Sequence, residues 1–482
     1  MINYRIIVRV LGVLLLIIGS LMWTGIPFAY YFASNDLLPL VWSGLICVGV
    51  GGLMRLVKLG NDRSVRKREG YLIVALGWLT MVSFGMLPYL LSGVIPGIPS
   101  ALFETVSGMT TTGASVLNDI EAQPPGILYW RSLTQWIGGM GIIVLTVAIF
   151  PLLGIGGVEL FVAEAPGPTS DKLHPRISET AKRLWLIYVG LTFVLTVIFF
   201  LEGMTPYEAI NHAFTTMATG GFSTRNASMA AFPPIIQYTT CLFMLLAGVN
   251  YTIIYFGLKG KFERAWASEE FRTYLLLVGL FTVAATIAVH ASVEISWEQA
   301  FRDSLFQIIS LITTTGFVSA DYTSWSGGLT FFFFILLFMG ACAGSTSGGI
   351  KIVRHLVFFK NSALEFKRII HPRAMVPLRL NGSRVRGRIL THIIIFLLLY
   401  LSLFVLGSLV LSAMGLDFLT AIGAVATSLG NVGPAIGKVG PVDNFAWMSD
   451  GVKLFLAFFM LLGRLELFTI LVLFTPYFWK AN

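Results

Sequence analysis

Long apolar runs alternate with short polar segments along the whole chain. Such runs occupy residues 11–18, 192–201, 331–339, 393–410 and 452–462. Each lies inside a longer stretch that can cross about 30 Å of hydrocarbon as a helix. We predict ten spans, two in residues 1–60 and two in each of four later segments. The first span runs from Ile6 past Trp23 without a small-residue cleavage site, so we expect a retained helix.

A Gly/Thr/Ser/Asn segment separates the two apolar runs in each of the four later segments. These glycine segments are Thr110–Ser115, Ala218–Ser223, Thr313–Val318 and Asn431–Pro434. Their key glycines, taken as Gly113, Gly220, Gly316 and Gly433, lie 107, 96 and 117 residues apart. A period of roughly a hundred residues indicates four repeated units. We place the repeats at residues 70–155, 183–260, 272–360 and 386–480.

The composition places the chain in a membrane. Of its 482 residues, 56% are hydrophobic and 12% are charged, and the mean hydropathy is +0.81. The net charge of +9 gathers in alternate loops, which is typical of membrane topology rather than of nucleic-acid binding. The sparsely basic loops hold all four glycine segments and are expected to face outward. We predict an all-α polytopic membrane protein with four helix–pore loop–helix units around one pore, plus two N-terminal transmembrane helices.

Each outer loop begins with the pattern of a short pore helix. Thr205 precedes Pro206, and Glu208 follows three residues after the threonine, which predicts a capping box. Ser296 with Gln299 predicts a similar capping box at the third pore helix, and Asp417 and Ser100 are expected to cap the fourth and the first. Repeats 1 and 3 also align without gaps from the pore helix to the glycine, as expected for an internal duplication.

The glycine segments have the chemistry of a cation filter. A dehydrated monovalent cation needs a ring of oxygens in place of its water shell, and backbone carbonyls can supply it. Glycine permits the backbone angles that aim a carbonyl at an axis, while Thr and Ser add hydroxyls. The candidate ion-binding residues are Thr111, Thr112, Gly113, Thr219, Gly220, Thr314, Thr315, Gly316, Asn431, Val432 and Gly433.

At these residues the chain resembles the Trk/Ktr/HKT superfamily of potassium transporters, and its TrkH/TrkG branch in particular. The strings Glu164–Pro168, Pro175–Ile177 and Glu179–Lys182, and the two extra N-terminal helices, carry the same resemblance. It implies potassium uptake across the bacterial inner membrane, with K+ as the transported ion and no organic cofactor. It also implies a homodimer and a cytoplasmic nucleotide-binding regulatory subunit of the TrkA type. Repeat 4 departs from the family pattern at Ala435, where glycine is expected, and lacks the threonine pair.

Two further features predict a gate. The segment from Gly340 to Gly349 is too small and polar for a lipid-facing helix, so it is expected to line a cavity. By resemblance it is an intramembrane loop beneath the filter, formed by Gly344, Ser345, Thr346, Ser347, Gly348 and Gly349. Arg464 lies deep in the last apolar run, where a charge is costly. The resemblance makes it a pore-facing arginine; the other interpretation is an arginine that pairs with carbonyls or a carboxylate in helix packing.

Two other functions stay open at this point. Potassium could be coupled to protons or sodium, although Glu466 is the one carboxylate that the sequence places in a span as a candidate relay. A membrane serine hydrolase is the more distant alternative, because Gly344–Gly348 resembles a nucleophile turn. Thr346 occupies its centre, however, and His355 lies beyond the loop. No phosphate-binding loop occurs in the sequence, and we expect a transporter rather than an enzyme.

Overall fold

The computed structural model describes residues 2–58, 67–141, 177–373 and 376–480. The predicted end of the first repeat, residues 142–155, lies outside them, as do the strings Glu164–Pro168 and Pro175–Arg176. The described residues are mostly helical, and their strands form one short hairpin, Arg379–Leu380 with Ser383–Arg384. This is the expected all-α fold.

Two N-terminal helices pack through small residues. The first runs Tyr4–Met22 and continues through the 3-10 turn Trp23–Gly25 into Ile26–Tyr31, and the second is Leu37–Arg55. A Cβ added to Gly12 would lie 2.8 Å from the Gly51 carbonyl oxygen, and one added to Gly51 would lie 2.7 Å from that of Gly12. Glycine at both positions therefore lets the two backbones touch, as in other membrane helix pairs.

Each repeat consists of an outer helix, a pore helix and a second helix. The outer helices are Lys67–Gly85 with Leu87–Ser92, then Ile177–Leu201, Glu269–Ser292 and Gly387–Ala413. The pore helices are Ile98–Met109, Pro206–Met217, Trp297–Ile312 and Phe418–Gly430. The second helices begin as Pro125–Trp136, Pro234–Ala247, Gly327–Leu336 and Asp450–Arg464.

The second helices are interrupted in every repeat. The first enters a π turn at Ile137–Gly141, and the second bends by 105° into Tyr251–Leu258. The third stops at Leu336, and the chain resumes as helix Ile352–Ile370 after a long loop. The fourth bends by 108° into Phe468–Phe474. The remaining short helices are Ser228–Ala231, Phe262–Trp266 and Pro476–Trp479.

The predicted spans can be compared with these helices. Six of the described helices, and two bent pairs, are long and apolar enough to cross a membrane. The other two predicted spans fall on Pro125–Trp136, which leads to residues outside the described part, and on the short apolar helix Gly327–Leu336. The repeat boundaries themselves stay predictions.

Three of the four predicted caps form. Thr205 and Glu208 make the reciprocal capping box. Ser296 and Asp417 each accept the backbone N–H three residues ahead, so the predicted box of Ser296 with Gln299 forms only in its serine half. The prediction for Ser100 is wrong, because the first pore helix begins at Ile98 after an uncapped Gly97. The Ser100 hydroxyl instead accepts a hydrogen bond from the Lys453 ammonium, at 3.1 Å.

Neighbouring outer loops are hydrogen-bonded in cyclic order. The outer loops are numbered here by their repeat. Loop 2 donates to loop 1 from Asn226 Nδ2 to Asp119 Oδ1 (2.9 Å) and to loop 3 from Met229 N to Val318 O (3.0 Å). Loop 3 donates to loop 4 from Tyr322 OH to Ala435 O (2.7 Å), and loop 4 donates to loop 1 from Phe445 N to Ser115 O (2.8 Å). The first contact also holds the pKa of the Asp119 carboxyl below its usual value, because the Asn226 amide donates to the ionised form. The four repeats therefore surround one axis.

Candidate functional site

All four pore helices end in the same strained turn. The residues Thr111, Thr219, Thr314 and Asn431 have φ values of +55°, +53°, +54° and +53°. In each turn the next residue's N–H donates to the carbonyl five residues back, at 2.8 to 3.1 Å. This is the Schellman pattern, which usually employs glycine at the left-handed position. Threonine there costs about 1–3 kcal/mol, so the surrounding structure must hold it in place.

A glycine with positive φ follows two residues after each strained residue. These glycines are Gly113 at +83°, Gly221 at +77°, Gly316 at +77° and Gly433 at +104°. The assignment of Gly220 as the key glycine of the second segment is therefore wrong by one residue. Gly220 occupies the position of Thr112, Thr315 and Val432. Alignment of the strained residues, rather than of the first glycine in each segment, gives this register.

The four glycines pack against one another's segments in a closed ring. A Cβ added to any of them would lie less than 3.0 Å from a carbonyl oxygen of the next repeat, closer than real Cβ atoms come. The four pairs are Gly113 with Gly220 O, Gly221 with Thr315 O, Gly316 with Val432 O, and Gly433 with Thr112 O. We call the carbonyls of Thr112, Gly220, Thr315 and Val432 the carbonyl ring. Such a ring can replace the water shell of a monovalent cation.

Repeats 1 and 3 support this ring in the same way. Their matching hydrogen bonds are Ser107 Oγ to Ala114 O (2.5 Å) and Ser310 Oγ to Phe317 O (2.7 Å), and Thr110 to Thr112 and Thr313 to Thr315 between hydroxyls (2.7 Å each). Each of the four groups in repeat 1 aligns, without gaps, with its counterpart in repeat 3. In these repeats the paired threonine hydroxyls brace the turn from behind.

In three repeats the residue nine positions before the positive-φ glycine is polar. Its side chain makes a hydrogen bond to the residues that follow the carbonyl ring. The Glu104 carboxylate accepts Val116 N–H at 2.8 Å, His212 Nε2 lies 2.9 Å from Ser223 Oγ, and Gln307 Nε2 donates to a backbone carbonyl at 3.1 Å. Glu104 also forms a fully buried ion pair with Arg131, at 2.6 Å. The aligned positions of Glu104 and Gln307 are visible in the sequence.

The loop from Gly340 to Gly349 lies against the inner end of the carbonyl ring. The Thr346 hydroxyl is 3.3 Å from that of Thr219, and Gly348 N–H donates to the Thr314 hydroxyl at 2.6 Å. A Cβ on Gly348 would lie 2.8 Å from the Asn431 Cβ. The loop thus touches three of the four strained residues.

Arg464 connects this loop to the fourth strained residue. Its guanidinium donates to the Thr111 hydroxyl at 3.0 Å and to the Thr346 carbonyl at 2.9 Å. It also donates to the carbonyls of Gly138 and Gly139, at 2.5 and 2.7 Å. The arginine therefore pairs with carbonyls, as one of the two interpretations held, and it does so directly beneath the ring.

Buried charged groups that sequence reasoning missed anchor both ends of the loop. The Glu270 carboxylate accepts Ala343 N–H at 2.7 Å and Val353 N–H at 3.2 Å, and so ties the loop to the outer helix of repeat 3. The Lys351 ammonium donates to the carbonyl and the hydroxyl of Ser347. No spacing in the sequence identifies Glu270, which lies 73 residues before the loop residue it binds.

Glu466 pairs with Arg354 on the helix that follows the loop. It lies at the break of the last second helix, where Glu466 and Leu467 both have positive φ. Glu466 was expected to be the one carboxylate in a span that could serve as a proton relay, and Glu104 and Glu270 are both more deeply buried than it.

The serines of the loop are bound to their neighbours. Ser345 and Ser347 share a hydrogen bond of 2.8 Å, and Ser347 Oγ lies 2.9 Å from Lys351 Nζ. Among the residues the structure describes, no hydrogen bond joins either serine to His355. These hydrogen bonds connect the two serine hydroxyls to each other and to Lys351 within the loop region.

The fold and the ring define a polytopic membrane protein with four glycine segments around one axis. The family model TrkH, described as a cation transport protein, matches residues 41–480. The chain belongs to the TrkH family.

Relatives are similar over the full length. The chain is 39% identical to the Trk system potassium uptake protein TrkH of Vibrio parahaemolyticus and 38% identical to that of Escherichia coli, in each case over 99% of this chain and 100% of the relative. It is 34% identical to Escherichia coli TrkG, over 99% of each. The crystal structure of the potassium transporter TrkH from Vibrio parahaemolyticus superimposes with a TM-score of 0.89 at 37% identity, covering 99% and 100% of the two chains.

Substitution of the ring glycines tests the corrected register. Gly221→Ala and Gly316→Ala each force a Cβ onto a ring carbonyl, an overpacking cost of about 1–3 kcal/mol, and we expect potassium flux to fall about tenfold or more. Gly415→Ala is the matched control, because Gly415 has φ of +97° and nothing within 4 Å of its added Cβ. Flux through Gly221→Ala equal to that of the control contradicts the register. The measurement is rubidium uptake into proteoliposomes at equal protein content.

Proposed function

We propose that the chain takes up potassium across the bacterial inner membrane by conducting K+ through the carbonyl ring. The observation that carries this proposal is the closed ring of four equivalent carbonyls, each against a neighbouring glycine. The negative ends of four pore helices point toward the same centre and add to the attraction for a cation. The family and the named relatives agree with a transporter of K+.

We take the filter to comprise the eleven residues predicted from the sequence, with Gly221 added. The four carbonyl-ring residues supply the oxygens, and the strained residues below them set the turn. The repeats are proposed at residues 70–155, 183–260, 272–360 and 386–480, each providing one quarter of the pore. K+ is the transported ion, and no organic cofactor is part of the proposal.

We propose further that the loop Gly344–Gly349 and Arg464 form the gate. The loop contacts the inner end of the ring, and Arg464 holds a positive charge there. Two like unit charges about 4 Å apart repel by about 4 kcal/mol at an effective dielectric constant of about 20, which corresponds to roughly a thousandfold in flux. Opening then requires the loop and the guanidinium to move together, since Arg464 donates to the Thr346 carbonyl.

Coupling of potassium to protons is the second candidate. The buried carboxylate of Glu270 and the partly buried one of Glu466 favour it, because both lie near the loop and a proton relay needs such groups. Each is already committed to a structural contact, Glu270 with two backbone N–H groups and Glu466 with Arg354. Those contacts support gated conduction over a relay.

The regulatory subunit and the homodimer are proposed from the family resemblance. The helix Ile352–Ile370, which follows the gate loop, supports a docking role because Phe359, Phe366 and Ile370 are exposed on it beside basic residues. A nucleotide-binding subunit of the TrkA type bound to this face could move the loop, because the helix follows the loop directly in the chain. Persistent failure to co-purify with a cognate subunit contradicts this part of the proposal.

Flux in proteoliposomes that hold the chain alone tests the function. We expect rubidium and potassium to enter down their gradients, sodium to enter much more slowly, and the internal pH to stay constant at clamped voltage. Proton movement that tracks potassium at clamped voltage identifies the symporter instead. Equal sodium and potassium flux contradicts selection by the carbonyl ring.

Three substitutions of Arg464 separate its charge from its bulk. We expect Arg464→Ala and Arg464→Met to raise rubidium leak in the absence of any regulatory subunit, because both remove the charge beneath the ring. Arg464→Lys keeps the charge and is expected to leave the leak low. If the leak is equally low in all three variants, the electrostatic part of the gate is wrong.

A further inference from the structure

One ring carbonyl has a backbone that is less restricted than the others. Three of the four carbonyl-ring residues are the β-branched Thr112, Thr315 and Val432, whose side chains limit the backbone to few conformations. The fourth is Gly220, which has the widest conformational freedom of any residue. Its carbonyl therefore needs another restraint if the ring is to keep four oxygens in fixed positions.

Gln135 supplies such a restraint from the second helix of repeat 1. Its Nε2 donates to the Gly220 carbonyl at 2.6 Å, and its Oε1 accepts Phe222 N–H at 3.0 Å. Gln135 is fully buried. A Cβ added to Gly220 would lie less than 3.0 Å from the Gln135 amide. The amide group thus occupies the space that a β-branched side chain takes in the other three repeats.

Among the residues that the structure describes, this contact has no equivalent in the other repeats. Counted from the first residue of its helix, Gln135 is at the eleventh position. The eleventh positions of the other second helices, counted in the same way, are Met244, Leu337 and Met460. All three are fully buried, as Gln135 is. Their side chains carry no N–H or O–H group, so they cannot donate to a carbonyl.

Arg131 fixes the helix that presents Gln135. The two residues are four apart and share one helix face. Arg131 donates to Ser223 O at 3.1 Å, and its guanidinium carbon lies 3.5 Å from the centre of the Phe222 ring. Its ion pair with Glu104 joins the helix to the first pore helix. Gln135 is therefore held between filter segments 1 and 2 on a rigid frame.

We infer that Gln135 is a positioning residue for ion selectivity, which acts by fixing the Gly220 carbonyl in the ring. The inference rests on the proposed potassium conduction. Without the amide, the Gly220 peptide is free to rotate, and the ring loses one fixed oxygen. A ring with three fixed oxygens discriminates less well between the larger K+ and the smaller Na+.

Gln135→Met tests the inference with a side chain of similar length. We expect the ratio of potassium to sodium flux in proteoliposomes to fall about fivefold, the factor that corresponds to one net hydrogen bond. Met244→Leu is the matched control at the equivalent position of repeat 2, and its ratio is expected to equal that of the unmodified chain. Thermal stability of each variant is measured alongside.

A second pair of variants distinguishes backbone restraint from general packing. Gln135→Ala alone is expected to lower the ratio, and the added substitution Gly220→Thr, which restores the residue type of repeats 1 and 3, is expected to recover at least half of the loss. If Gln135→Met does not fold, this pair of variants tests the inference about Gln135 instead.

An unchanged ratio in folded Gln135→Met, or an equal fall in Met244→Leu, overturns the inference. No recovery by Gly220→Thr overturns it as well. Absence of potassium flux in the unmodified chain is a different result, because it removes the proposed function itself.

Discussion

The contact between each filter glycine and the carbonyl of the next repeat is the constraint on which the rest of the structure depends. Four glycines with positive φ leave room for four carbonyls, and a single Cβ in any quarter would displace an oxygen of the neighbouring one. The strained residues below, the hydroxyl braces behind and the hydrogen-bonded outer loops above all serve to hold this arrangement. Three threonines in a conformation that threonine disfavours show how firmly the surroundings determine the turn.

The same turns couple the ring to the loop beneath it. Thr219, Thr314 and Asn431 contact the loop directly, and Thr111 is joined to it through Arg464. The Glu270 carboxylate and the ion pair of Arg354 with Glu466 connect the loop to the helices around it. Short polar contacts therefore connect the helix Ile352–Ile370 to the loop, and the loop to the base of the ring.

Much of this architecture could be predicted from the sequence, because the determinants are local. The capping box at Thr205 and the caps at Ser296 and Asp417 each depend on residues a few positions apart, and the likeness of repeats 1 and 3 can be read from their alignment without gaps. The register of the second segment was missed because Gly220 and Gly221 are adjacent, and only backbone geometry distinguishes them. Glu270 and Gln135 were missed because their partners lie 73 and 85 residues away and follow no spacing rule.

The most direct test of the carbonyl ring is anomalous diffraction from crystals of the protein grown in rubidium and, separately, in sodium. The account predicts a rubidium peak on the axis, in contact with the carbonyl oxygens of Thr112, Gly220, Thr315 and Val432. Potassium added in excess should displace the peak, and sodium should leave it in place. A rubidium site elsewhere, or none at the ring, contradicts the central claim that these four carbonyls bind the ion.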